Sequence, residues 1–293
     1  MLGNNTVKST REQMLQINVR QKAFYEDARF VSPQASNTDT VRVADLPTRL
    51  WSWLRNRIQV WRESSGVNEH IYDLHRQWMN DLKDACVLDL GCFTGNNLSL
   101  WIAEHCADYT GIDLSETAIT QLDAKLRERE LLHARAYAQD FLANTYPDDH
   151  FDLIYACSVL HHFKDRTTLL KELRRVLKPG GLIISIDPLM TEPLNRLARA
   201  VYRPFQIDRD WEWPFTYSAL RLLRQYFEIE DMQGAIGMSK LSLPFYLIPG
   251  LSKLGRVFGD WGSMFDNKYA RKPGIPFFLC WMVTLCLRKP GKQ

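Results

Sequence analysis

Apolar and polar positions through the middle of the chain follow a strand–turn–helix rhythm. An apolar run, Val87-Leu-Asp-Leu90, carries an acid at Asp89 and gives way to a turn with glycines at Gly91 and Gly95. A helix-like apolar stretch, Leu98-Ser-Leu-Trp-Ile-Ala103, comes next, and a second short apolar run closes on Asp113. This pattern predicts a βαβ unit whose first loop is thinned so that a ligand can approach the backbone. Asp113 stands about 20 positions after Gly91, the separation at which a carboxylate accepts from ribose hydroxyls. The unit therefore points to a nucleoside-containing cofactor.

What the loop lacks narrows the cofactor. A dinucleotide loop needs G-x-G-x-x-G to hold a pyrophosphate at a helix N-terminus. Counted from Gly91, the second and third glycine positions hold Phe93 and Asn96, and no Gly-Lys-Ser/Thr of a phosphate loop is present. The pattern that stands here, D-x-G-x-x-x-G with the acid inside the strand end, suits a ligand without phosphate that carries a positively charged amine. It resembles motif I of the class I S-adenosylmethionine-dependent methyltransferases.

The resemblance extends over roughly residues 85–190. Ala138-Gln-Asp-Phe141 resembles the family's third-strand end, and Phe151-Asp-Leu-Ile-Tyr-Ala-Cys-Ser158 its fourth strand. Leu169 to Asp187, with Lys178-Pro-Gly-Gly181 at its centre, is similar to the helix, turn and fifth strand of the small-molecule "type 11" group. The resemblance implies an α/β fold: a Rossmann-like seven-stranded sheet with its last strand antiparallel, helices on both faces, and helical N-terminal and lid additions. It implies S-adenosylmethionine as cofactor. Asp89, Gly91, Cys92, Phe93 and Gly95 would lie at the methionine end, Asp113 and Leu114 at the ribose, Asp140 and Phe141 at the adenine, with Cys157 and Ser158 beside them. Phe93 replaces a family glycine; with Gly91 and Gly95 making the tight turns, it is expected in an ordinary backbone region with its ring turned away.

The last two strands are expected from Tyr226-Phe-Glu-Ile-Glu-Asp-Met232, which alternates, and from the apolar run Phe277 to Leu287, which reads as a strand buried on both faces. The polar first 84 residues read as a helical extension or lid, with apolar stripes Trp51/Leu54/Ile58/Trp61 and Ile71/Leu74/Trp78/Leu82 packing on the sheet edge or closing over the cofactor through Tyr25 or Tyr72. Residues 32–40 read as a loop. The catalytic domain is then 85–293, with substrate-cap insertions at about 190–222 and 238–274.

Composition changes this picture little. A net charge of +3 gives no global drive toward nucleic acid, and no Asn-Pro-Pro-Tyr-type tetrapeptide follows the fourth strand. Six cysteines without a C-x-x-C pair argue against zinc, fit a reducing cytoplasm, and leave no metal site expected. No apolar stretch is long enough to span a membrane. Aromatic-rich 241–265 reads as a lid over the acceptor or a peripheral membrane contact, and Arg196, Arg199 and Arg203 as a solvated face or an anion reader. The oligomeric state is open.

Methyl transfer to an alcohol or enol gains from a base. His161, His162 and Asp187 are the candidates; adjacent histidines point in different directions and do not suit a shared metal. The expected activity is methylation of a small, partly apolar acceptor (natural-product, quinone-like or lipid-like), with oxygen favoured. The alternative is a non-methylating enzyme on this fold that uses S-adenosylmethionine structurally or for another reaction.

Overall fold

The computed structural model describes residues 17–23, 26, 53, 56–58, 60–79, 81–205, 211–248 and 250–291. Tyr25, residues 32–40, Trp51 and Leu54 lie outside them. Seven strands form one sheet in the order β3-β2-β1-β4-β5-β7-β6. They are β1 (Cys86–Leu90), β2 (Asp108–Asp113), β3 (Ala134–Ala138), β4 (Phe151–Cys157), β5 (Leu177–Pro188), β6 (Glu228–Ala235) and β7 (Met282–Arg288). β7 runs antiparallel to both β5 and β6, and the other pairings are parallel. This is the expected architecture.

Strand parity sorts the side chains into two layers. Leu88, Leu90, Ile154 and Ala156 face one layer, which is filled by α4 (Arg166–Val176) and α6 (Tyr217–Leu223). Val87, Leu153 and Tyr155 face the other, covered by α1 (Val67–Met79), α2 (Asn97–His105) and α3 (Glu116–Glu128). Burial on both faces explains why β1, β4 and β7 read as near-continuous apolar runs. Between β5 and β6 the chain adds α5 (Pro193–Tyr202) before α6. Between β6 and β7 it adds α7 (Leu243–Leu247), α8 (Ser252–Tyr269) and α9 (Ile275–Phe278).

The start of β7 is a correction. The apolar run from Phe277 is not strand throughout: Ile275–Phe278 is a turn of helix with proline in its first turn, and the strand begins at Met282. Phe277 is buried in the core from that helix, and an apolar run alone does not separate a buried strand from a buried helical turn.

The second N-terminal stripe lies on the sheet. Ile71, Leu74 and Leu82 are buried, and the Trp78 indole donates to Asp231 at 3.1 Å. Trp61 is also buried and donates to Ser242 Oγ at 2.7 Å. Beneath α1, His75 Nε2 meets Thr284 Oγ1, whose own proton goes to the Ser185 carbonyl at 2.8 Å. Thr284 therefore accepts, which places the imidazole proton on Nε2 and leaves Nδ1 buried with no hydrogen-bond partner. Protonating Nδ1 would bury a charge, and that desolvation pushes the His75 pKa from 6.5 to about 3. Between those two values the unfolded chain takes up a proton that the folded protein refuses. Stability from this site is thus present above pH 6.5 and lost as pH falls toward 3. His75→Gln, which can still donate to Thr284, is expected to show a shallower loss of stability across that range in denaturant titrations; parallel curves would exclude His75 as the source.

Candidate active site

The carboxyl ends of β1, β2, β3 and β4 surround a cavity, as expected of an open parallel sheet. Its wall contains Leu90, Gly91 and Phe93 from the first loop, and Ile112, Asp113 and Leu114 from the second. Gln139 and Asp140 follow β3, while Cys157, Ser158, Val159, His162 and Phe163 follow β4. Asn18 and Gln21, from the helix at 17–23, complete it.

The first loop owes its shape to backbone conformations that side chains resist. Gly91 has φ +67°, and a Cβ there would stand 2.5 Å from Val159 Cγ2. Gly95 has φ +73°, with Leu122 Cδ1 2.7 Å from such a Cβ. The amides of Gly91 and Cys92 both donate to the Ile112 carbonyl, at 2.8 and 3.1 Å. Asn96 then caps α2, its Oδ1 accepting from Leu98 N and Ser99 N at 2.9 Å each. Asn96 thus starts the helix, where a dinucleotide loop would carry its third glycine.

Phe93 is the second correction. Its φ is +47°, in the left-handed region, and the residue lines the cavity; the ordinary conformation expected for it does not occur. The cause is visible in its partner. Phe93 N–H donates to Asp113 Oδ2 at 3.1 Å, so the peptide must turn toward β2 between two glycines that share the positive φ. A Cβ in that region costs roughly 1–2 kcal/mol.

Asp113 and Asp140 put two carboxylates on the wall. Asp113 also accepts from Ser115 N at 2.9 Å; burial raises its pKa, against the amides of Ser115, Phe93 and Leu114. Asp140 accepts from Leu142 N at 3.0 Å and from Asn18 Nδ2 at 2.7 Å. Among the described residues no lysine or arginine lines the cavity. Carboxylates alternating with Leu90, Ile112, Leu114, Val159 and Phe163 fit hydroxyl- and amine-bearing groups and an apolar ring, and fit a phosphate poorly.

Several anticipated residues lie behind this wall. Asp89 shares the parity of Val87 and turns into the α2 layer, where the Tyr109 hydroxyl donates to it at 2.7 Å. Burial pushes its pKa up to about 7, against the hydroxyls of Ser99 and Tyr109. Cys92 and Phe141 are buried and Gly95 sits in the turn; none of the three lines the cavity. Cys157 does, with burial pushing its thiol up to about 11. Ser158 does as well, at φ +58°.

Of the three candidate bases, only His162 lines the cavity. Its Nδ1 meets the Trp211 carbonyl at 2.8 Å; a carbonyl only accepts, so the proton sits on Nδ1 and Nε2 is the basic nitrogen of the neutral ring. His161 is buried, with its Nδ1 2.9 Å and its amide 3.1 Å from Asp187 Oδ1. Burial raises the Asp187 pKa to about 8, against the His161 amide. His161 and Asp187 thus form a buried pair behind the turn that presents His162.

From the N-terminal extension the cavity takes Asn18 and Gln21, residues that the lid expectation, built on Tyr25 and Tyr72, does not name. Besides the Asn18–Asp140 contact, Lys22 pairs with Glu116, and the Glu26 carboxylate accepts from the Glu116 and Thr117 amides at the N-terminus of α3. The run 17–23, Ile-Asn-Val-Arg-Gln-Lys-Ala, is too short for its apolar residues to form a stripe that announces it. No described residue of the two insertions lines the cavity, although 211–215 adjoins it through Trp211 and through Trp213 N, which donates to the His161 carbonyl at 2.8 Å.

A methyltransferase-domain family matches residues 88–185, the span from β1 through most of β5. Residues 88–185 are a class I S-adenosylmethionine-dependent methyltransferase domain. Its cofactor is S-adenosylmethionine. Methyltransferase GfsG from Streptomyces halstedii is 28% identical over 192 residues, covering 61% of this chain and 69% of that protein. The 2-methyl-6-phytyl-1,4-hydroquinone methyltransferase of Synechocystis sp. is 29% identical over 44% of this chain, and the match spans only 40% of that protein. Among solved structures, the [4+2]-cyclase SpnF matches with TM-score 0.53 and 22% identity over 76% of this chain and 80% of its own, a likeness of fold.

Phe93 in the methyltransferase loop invites a direct test. Phe93→Ala keeps a Cβ in the left-handed region without the ring, and Phe93→Gly removes both. The glycine variant is expected to be more stable than the alanine variant by about 1 kcal/mol, a melting difference of roughly 2–4 °C. Equal melting temperatures would mean that the loop carries no strain at this position.

Proposed function

We propose that this methyltransferase acts on a small, partly apolar acceptor, with oxygen the favoured nucleophile and His162 the base. The observation that carries this reading is the His162 imidazole on the cavity wall, its tautomer set by the Trp211 carbonyl. S-adenosylmethionine supplies an electrophilic methyl group on a sulfonium. Asp113 would accept from its ribose hydroxyls and Asp140 from its adenine amine, while Leu114, Val159 and Phe163 would exclude water from its apolar part. Asn18 and Gln21 close the outer side. His162 Nε2 takes the proton of the acceptor hydroxyl as the oxygen becomes nucleophilic. His161 and Asp187 act as positioning residues that hold the turn from behind. The relative named for a hydroquinone supports an acceptor of quinol type.

A second reading is favoured by one observation. Phe93 places a phenylalanine on the cavity wall where the family's loop has glycine. On that reading the cofactor is bound and the reaction is not methyl transfer.

The two separate by product mass. Incubation with S-adenosylmethionine and a panel of quinols, phenols and polyketides is expected to yield a product heavier by one methylene. His162→Gln should lower kcat about 10²–10⁴-fold, the range of general-base catalysis, with cofactor affinity retained. Cofactor-dependent conversion without mass gain would support the second reading, and unchanged kcat in His162→Gln would remove the base assignment.

A further inference from the structure

The helix α8 is inverted. Its buried side consists of Gly255, Gly259, Gly262, Ser263 and Asp266, a seam so close that a Cβ on Gly262 would stand 2.5 Å from Ser239 N and one on Gly259 2.8 Å from the Ser65 carbonyl. The large apolar side chains point the other way: Val257 is 64% exposed, Trp261 53% and Met264 65%, with Leu254 and Phe258 also exposed beside them. An ordinary surface helix presents its large apolar residues to the core. Rotation cannot repair this one. Asp266 accepts from the amides of Gly237 at 2.9 Å, Met238 at 2.7 Å and Ser239 at 3.3 Å, which pins the helix to the turn before α7. Phe245 of α7 stacks on Phe258 with ring centroids 4.9 Å apart, extending the apolar surface.

The charge around this face is mainly basic. Lys253, Arg256 and Lys268 lie on the exposed part of the helix and Lys272 follows it, all exposed, while Arg271 pairs with Asp231 at 3.5 Å. The acids of the helix are spoken for: Asp266 is buried and Asp260 pairs with His70 at 3.2 Å. No helix among the described residues is long and apolar enough to cross a membrane. An exposed apolar face with a tryptophan, bordered by lysine and arginine, is the composition of a helix that lies in the plane of an anionic bilayer. Pairing of two copies through this face would set the basic flanks against each other around a two-fold axis; anionic headgroups neutralise them.

We propose that α8 and the adjoining α7 form a peripheral membrane-binding face for anionic lipid surfaces. The proposal is independent of the acceptor's identity. The test is co-sedimentation of the full chain with vesicles of phosphatidylcholine and phosphatidylglycerol, alongside vesicles of phosphatidylcholine alone. Binding to the mixed vesicles is expected, several-fold weaker binding to the neutral ones, and a loss of about tenfold or more in Val257→Ser/Trp261→Ser/Met264→Ser. S-adenosylhomocysteine affinity should be unchanged in that variant, because none of the three residues lines the cofactor cavity. Should it misfold, Lys253→Glu/Arg256→Glu tests the same face and is expected to abolish the preference for phosphatidylglycerol. No binding to the mixed vesicles, or equal binding by the folded variants, would overturn the proposal. So would a dimer in sedimentation equilibrium that the serine variant dissociates without any vesicle binding, which would make the face a contact between copies.

Discussion

Asp113 holds two loops with one carboxylate. The Phe93 amide donates to one oxygen and the Ser115 amide to the other, at 3.1 and 2.9 Å, while the Ile112 carbonyl beside it takes the amides of Gly91 and Cys92. The loop after β1 is thereby fastened to the end of β2. The cavity exists because those two strand ends stay together, and the same group that fastens them faces the space between them. Hydrogen bonds to a carboxylate are among the stronger ones, and the loop's three positive φ values at 91, 93 and 95 are affordable only in a loop so held.

That arrangement explains how the outer parts engage. Asp140 sits at the next strand end and reaches across to Asn18, and Glu26 caps the helix that begins just after Asp113. The N-terminal segment therefore docks on groups that the sheet has already aligned. On the opposite side the turn after β4 is backed by the His161–Asp187 pair and tied to 211–215 through His162 and Trp211. The strand ends supply a half-site that residues 17–23 complete from one side, while 211–215 backs the turn that carries His162.

Much of this was legible from the chain. The apolar run ending in an acid at Asp113 marks a strand end because a parallel strand is buried until it leaves the sheet. Side-chain direction was less legible. Asp89 lies inside β1, where parity sends it to Tyr109, whereas Asp113 sits at the last residue of β2 and faces the cavity. The relative roles of His161 and His162 depend on a turn of 3₁₀ helix whose orientation no local pattern encodes. Phe93 was misread because its conformation is imposed by Asp113, 20 residues away, and Asn18 was missed because its partner is 122 residues distant. Periodicity reports burial on one element; it does not report contacts between elements.

The central claim is that one cofactor site joins the strand ends to the N-terminal segment, and amide hydrogen exchange with and without S-adenosylhomocysteine addresses it most directly. Protection is expected together at 17–23, 91–95, 113–116, 139–141 and 158–163, because the ligand would bridge groups that otherwise open separately. Protection confined to other parts of the chain, or at the strand ends with none at 17–23, would contradict the account.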